Sequence, residues 1–230
     1  RNFGLIYAYN KGAEIIATVD DDNIPYSKWG KALLVGKEVE VIVHRTDCKV
    51  FDPLSVTHPH LWHRGFPIQM LDERNLKGHV KRKRKVLVQA DLWDGAPDID
   101  AACRITLDPQ VKFNQYMPPF AGDKIAPFNS QNTFLHRDIF PTYFLFPHIG
   151  RMDDIWAAYA VQHKYPDSVV FGPASVFQDR NPHDLSKDLE AEMIGYKHSH
   201  EVALDNEKLF SRLPARAAQA FYEYEKCFEK

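Results

Sequence analysis

The run Ile15-Ile16-Ala17-Thr18-Val19-Asp20-Asp21-Asp22-Asn23 decides how this chain is read. Its first five residues are apolar or β-branched, a composition that predicts a buried strand. The three aspartates and Asn23 then form an acidic turn, and Pro25 keeps the strand from continuing in a ladder. Upstream, Leu5, Ile6, Ala8, Tyr9 and Ala13 recur at helical spacing, and Gly12 stops that helix near Lys11. A helix, a buried strand and an acidic turn at the strand's carboxyl end make half of an α/β unit. In open α/β sheets, ligands bind at that end.

Working outward, residues 39–43 read as a second strand. Phe51-Asp52-Pro53 opens an irregular region that carries Trp62-His63-Arg64-Gly65-Phe66-Pro67. Residues 86–90 predict a strand that leads into a loop over 91–100, and residues 125–134 an extended segment with polar residues facing a site. Ile155, Trp156, Ala158, Tyr159 and Val161 give a helical pattern over 153–163, with two carboxylates in its first turn. Two short strands follow at 168–171 and 174–177. From 184 to 230 the chain reads as helical, divided by Pro214. No internal repeat or low-complexity tract interrupts it.

With 230 residues, 44% hydrophobic and 26% charged, the chain can bury a core without disulfides or a structural metal, and one domain is expected. A net charge of −2 argues against a nucleic-acid partner, which would need a clear excess of Lys and Arg on one face. The basic run Lys81-Arg82-Lys83-Arg84-Lys85 reads as a solvated loop just before a strand. Cys48, Cys103 and Cys227 lie far apart with no paired ligand spacing, so a reducing compartment, the cytoplasm, is expected. No apolar stretch approaches the roughly 18 to 20 residues of a membrane span, and the first residues do not form a signal peptide. The chain opens on Arg1-Asn2-Phe3-Gly4 without methionine, as though an upstream portion were missing.

Three adjacent aspartates repel one another and call for a positive partner. A divalent cation, Mg²⁺ or Mn²⁺, held by Asp20 and Asp22 together with substrate phosphates meets that need; a solvated turn, in which Asp and Asn simply suit the geometry, is the plainer alternative. Asp153-Asp154 taken alone reads as a helix cap, and otherwise as a base or electrostatic partner facing a sugar acceptor. Arg64 either clamps phosphate or sugar hydroxyls, with aromatic neighbours stacking on a sugar, or ties its loop to backbone carbonyls. Asp98 and Asp100 are placed to meet hydroxyl groups or to make turns. Asn129 and Asn132 are substrate ligands or loop formers, and His183 is a late metal ligand or an exposed loop histidine.

The ordered set Arg1-Asn2-x-Gly4, Gly12-Ala13, the 20–23 run, Arg64-Gly65-Phe66-Pro67, Gly95-Ala96-Pro97-Asp98-Ile99-Asp100, Asn129-Ser130-Gln131-Asn132 and Arg151-Met152-Asp153-Asp154-Ile155-Trp156 resembles the STELLO-type glycosyltransferases. It is also similar to the reversibly glycosylated polypeptides, which include the UDP-arabinopyranose mutases. The resemblance runs from about Arg1 to Asn181. It implies a GT-A type α/β fold, a mixed, mainly parallel sheet flanked by helices, as a single domain with an α/β core over 1–183 and a helical extension over 184–230. It further implies Mn²⁺ or Mg²⁺ at Asp20 and Asp22, a nucleotide sugar and a glycosyl acceptor as partners, and Asp153, Asp154 and Arg64 as catalytic residues. Arg1, Asn2, Asp21, Asp98, Asp100, Asn129 and Asn132 are then the candidate substrate ligands. Relatives tend to carry a histidine near the position of Gln178, so His183 stands in here as the third metal ligand. GT-A enzymes carry an amino-terminal βαβ portion that holds the base, and this chain begins after it. The expected activity is sugar transfer from a nucleoside diphosphate; the alternatives are a UDP-sugar mutase glycosylated reversibly on Arg64 and a non-catalytic scaffold.

Overall fold

A computed structural model describes residues 1–229. Helix α1 (Asn2–Asn10) ends at Lys11, and Gly12, at φ +79°, turns the chain toward strand β1 (Ile15–Val19). β1 pairs antiparallel with β7 (Asn132–His136), Val19 opposite Asn132 and Ile15 opposite His136. The expected strand is present, yet it is a margin of the sheet and not buried: Ile15 and Val19 are exposed. Its apolar composition serves one covered face and not two.

Strands β5 (Val88–Gly95) and β8 (Val169–Gln178) run parallel at the centre. Beyond β8 come β6 (Phe120–Gly122), β3 (Glu38–Thr46) and β4 (Leu76–Lys85), giving the order β1-β7-β5-β8-β6-β3-β4, with the short β2 (Asn23–Pro25) also on β8. This is a mixed eight-stranded sheet flanked by helices. It is not mainly parallel: among the described residues only β5 with β8 and β3 with β6 pair in parallel, and the other five pairings are antiparallel. A parallel pair needs a long crossover, usually helical, and between β1 and β7 the chain holds one α-helix, the short α2 (Ala101–Leu107).

Several local expectations change with this topology. The basic run forms the end of β4, where Lys81 and Lys83 pair across the ladder with Glu40 and Glu38, at 3.1 and 3.8 Å. Arg84 turns inward to Gly122 O and Asp167. Residues 91–95 extend β5 in place of the expected loop, and the two expected strands after 168 are one, β8. Pro25 is the last residue of β2, opposite Val176, so the ladder resumes briefly after the acidic turn. Helix α3 (Asp153–Lys164) matches its pattern, and Asp154 through Gln162 are all buried, with Trp156 and Tyr159 fully enclosed.

One face of the sheet packs on α3 and on the carboxyl-terminal helices α4 (Leu185–Val202), α5 (Asn206–Arg212) and α6 (Ala215–Lys226). Val88, Ala90 and Phe171 share a single core with Val202, Leu209, Ala217 and Phe221, so the helical extension belongs to the same body as the sheet. The other face carries a smaller cluster, including Val41, Phe134 and Val170, beneath Val35 and Trp29. Lys230 lies outside the described residues. Among those described, no helix is long and apolar enough to cross a membrane; Cys48, Cys103 and Cys227 are free.

β1, β5 and β8 point the same way, and β7 runs opposite. Their carboxyl ends and the start of β7 therefore meet at one rim of the sheet.

Candidate functional site

At this rim a cleft of about 180 Å³ opens between Arg1, Asp20 and Asp22 on one side and Arg64, Arg151, Asp153 and Asp154 on the other, with Gln178, Arg180 and His183 closing it. Asp20 and Asp22 follow β1, Gln178 ends β8 with Arg180 just beyond it, and Ser130 precedes β7. The carboxyl-end placement expected of the acidic turn is what the structure shows.

The floor is a buried charge lattice. Asp154 does not cap α3, whose N-cap position is Met152 with no side-chain bond. Its carboxylate instead accepts Ser130 N at 2.9 Å and Ser130 Oγ at 3.0 Å, and faces Arg64 with Nη1 at 3.1 Å and Nη2 at 3.4 Å. Arg64 Nε donates to Asp98 at 2.8 Å, Nη1 also bonds Arg151 O, and Asn129 Nδ2 donates to the other Asp98 oxygen at 2.6 Å. Gly65 makes this possible: at φ +88°, with a Cβ that would overlap Ile155, it lets the Arg64 loop lie against α3, where Tyr159 OH donates to Gly65 O at 2.8 Å. Burial opposes the Arg64 charge, but Asp154 and Asp98 outweigh it and hold the guanidinium well above its ordinary pKa. Burial likewise opposes the Asp98 charge, and Arg64, His63 and Asn129 hold that carboxyl far below the usual range.

Asp153 is the contrasting carboxylate. It lines the cleft, receives the backbone N–H of Asp154 and has no side-chain donor among the described residues. Burial and then the adjacent Asp154 charge push it up to about 6.

Across the cleft, the Arg1 guanidinium binds both Asp20 and Ser130. Burial raises the Asp20 carboxyl despite this partner; at Arg1 burial works the other way, and Asp20 more than offsets it. Gln178 Nε2 donates to Asp22 Oδ2 at 3.2 Å, while Asp22 Oδ1 and Gln178 Oε1 are buried with no donor among the described residues. Two unpartnered acceptors beside a second carboxylate suit a hard cation with oxygen ligands. No three of His, Cys, Asp and Glu converge on a metal position among the described residues. Asp20, Asp22 and the Gln178 carboxamide would thus hold Mg²⁺ or Mn²⁺ only with ligand oxygens or water completing the shell.

Other expected ligands have partners within the protein or lie off the cleft. His183 reaches the cleft wall, but its Nδ1 lies 2.9 Å from Asp188, which draws it away from the acidic turn as a third metal ligand. Asp21 is exposed and does not line the cleft. Asn2 clasps Leu145, giving and receiving backbone hydrogen bonds at 2.9 Å. Asp100 caps α2 through Cys103 N at 2.8 Å and accepts Trp62 Nε1 at 2.5 Å, so neither residue is free for a sugar. Asn132 accepts Trp29 Nε1 at 3.0 Å and donates to Ser175 Oγ at 2.9 Å. Asn129 stays one step behind the cleft, positioning Asp98. Short polar side chains serve equally as ligands and as loop ties, and the fold uses Asn2, Asp100, Asn129 and Asn132 as ties.

Two arginines were missed as ligands. Arg151 is anchored by Glu192 at 2.8 Å and Asp188 at 3.3 Å. Arg180 lines the cleft with its Nε buried and unpartnered among the described residues; burial and then Arg104 lower its pKa to about 10. In the sequence Arg180 stands three residues before His183, in Asp179-Arg180-Asn181-Pro182-His183. A scan against protein-family models matches none, and no curated protein matches the chain.

Proposed function

We propose that the cleft binds a nucleoside-diphosphate sugar with a divalent cation, and that the protein is a GT-A-type glycosyltransferase. The observation that carries this reading is the convergence, at the carboxyl ends of β1, β5 and β8, of an acidic turn with unpartnered acceptor oxygens, a carboxylate raised to about 6 and four arginines. Anionic phosphates suit Arg180, whose Nε has no partner among the described residues, with Arg1 and Arg151 lining the same cleft. Asp22 and Gln178 would hold the cation, with Asp20 joining them when Arg1 turns from it to phosphate. When bound, the ion neutralises charge on the diphosphate leaving group.

Asp153 takes the proton from the acceptor hydroxyl as its oxygen bonds the anomeric carbon and the bond to the diphosphate breaks. A carboxyl raised to about 6 is mostly ionised at pH 7 and more basic than an ordinary aspartate, which suits general-base work. Arg64 positions the floor. Its three nitrogens are engaged by Asp98, Asp154 and Arg151 O, which favours transfer over the mutase alternative, where a guanidinium nitrogen would have to attack the sugar.

Calorimetry with UDP and Mn²⁺ tests the reading. Metal-dependent nucleotide binding, abolished by Asp22→Ala, is the expected result. Absence of any metal-dependent binding in the wild-type chain would favour the scaffold alternative and remove the enzyme reading.

A further inference from the structure

The second face of the sheet holds a cavity that the cleft does not use. About 260 Å³ in volume, it lies between the segment 28–34 and the β5–β8 pair. At its base sits Asp91, only 6% exposed. Gln89 Nε2 donates to Asp91 Oδ1 at 2.9 Å and the Ser175 hydroxyl donates to the same carboxylate. Leu34 N fixes the opposite end of the Gln89 amide at 2.8 Å, so its donor end must face Asp91. No described cation forms an ion pair with this carboxylate. Lys28 bonds Gln115 O at 3.0 Å and acts on Asp91 only from a distance.

The backbone is shaped around that group. Gly172 stands opposite Asp91 in the β5–β8 register, and a Cβ there would overlap Asp91 Oδ1. The other walls are apolar, among them Leu33, Met117 and Pro119. At the mouth, the exposed Lys31 ammonium has no hydrogen bond or ion pair to a described residue.

We propose that this cavity binds a compact hydroxylated anion, of the sugar-acid or sugar-phosphate class, with a hydroxyl donating to Asp91 and the anionic group facing Lys28 and Lys31. A buried carboxylate without a cation is stabilised by each donor it gains, and a hydroxyl supplies one without a further buried charge. The two lysines repel an ammonium ligand and attract an anion. The apolar walls pack a carbon skeleton, as small-ligand pockets do, and the volume limits it to one small ring or chain. None of these residues belongs to the cleft, so the inference stands apart from the reading given above.

Calorimetric titration of the whole chain with glucuronate and with glycerol 3-phosphate tests it, with sorbitol and acetate as partial mimics. Saturable one-to-one binding of at least one anion is expected, weakened about tenfold or more by Asp91→Asn and by Lys31→Ala. Whichever anion binds more tightly identifies the carboxylate or phosphate source. Lys31 is a surface residue, so its variant keeps the test open if Asp91→Asn misfolds. The proposal is overturned by no saturable binding of either anion, by sorbitol or acetate binding as tightly, or by affinity indifferent to both substitutions.

Discussion

Arg64 and Asp154 meet as a buried fork-on-fork pair that joins the 62–67 loop to the first turn of α3, Nη1 3.1 Å from Oδ1 and Nη2 3.4 Å from Oδ2. The same guanidinium bonds Asp98 through Nε. Removing the arginine leaves two buried carboxylates without their counter-ion. Arg64→Met is expected to cost about 3 to 5 kcal/mol of stability, read by chemical denaturation. Arg64→Lys keeps the charge but not the planar fork, and recovers less than half of that loss. A loss below about 1 kcal/mol for the methionine variant would contradict the role assigned to the pair.

Gln178 Nε2 donates to Asp22 Oδ2 at 3.2 Å, and the Gln178 carboxamide oxygen beside it has no donor among the described residues. A neutral imidazole is a stronger ligand for Mn²⁺ than a carboxamide. Gln178→His is therefore expected to tighten Mn²⁺ binding about tenfold in the presence of UDP, followed by the loss of free Mn²⁺ in an electron-spin-resonance titration. Unchanged or weaker binding would place the ion elsewhere.

If the cleft carries out the proposed transfer, its pH dependence follows from Asp153. Its carboxyl, raised to about 6 by burial and by Asp154, must be ionised to accept a proton. Turnover at saturating donor is expected to rise through pH 6 and level off above pH 7. Asp153→Asn should lower turnover by about 100-fold or more and flatten that limb. An acidic limb that persists in the asparagine variant would assign the base to another group.

Asp91 has the opposite sign from a salt-bridged aspartate. Burial holds it up at about 6 in the folded chain, against roughly 3.9 when unfolded. The folded state thus binds the proton more tightly, so stability falls as pH rises from about 4 to 6 and stays lower above that range. Asp91→Asn removes this penalty. A gain of at most about 3 kcal/mol at pH 7.5, vanishing near pH 4, is expected from denaturation curves at the two pH values. An equal effect at both would mean that the change acts through packing.

The local sequence made α1, β1 and α3 legible through apolar residues three and four apart for the helices and a β-branched run for the strand. Direction and neighbours were not legible. Ile15–Val19 reads as buried because composition cannot tell a central strand from a margin, and Lys81–Lys85 reads as a loop because the cross-strand glutamates that accommodate its charges lie forty residues away. Within the site, the residues drawn from several ordered segments do converge: Asp20, Asp22, Arg64, Asp98, Asp153 and Asp154 line one cleft. The task of each isolated Asn or Asp was not legible. Asn2, Asp100 and Asn132 were picked by type, and only the position of a distant backbone group or a Trp N–H shows that they bind the protein itself. Asp154 taken alone reads as a cap, and its place on the floor of the cleft is visible only with Arg64 and Ser130, which arrive from elsewhere in the chain.

The two outer strands of the sheet are guarded unequally. β4 lines its border with Lys77, Lys81, Lys83 and Lys85, a fence of like charges that turns away an approaching strand. β1 offers Ile15 through Val19 with no charge and no proline, its outer amides and carbonyls facing outward without a partner strand among the described residues. The β1 border is therefore the place where an added strand would pair most readily.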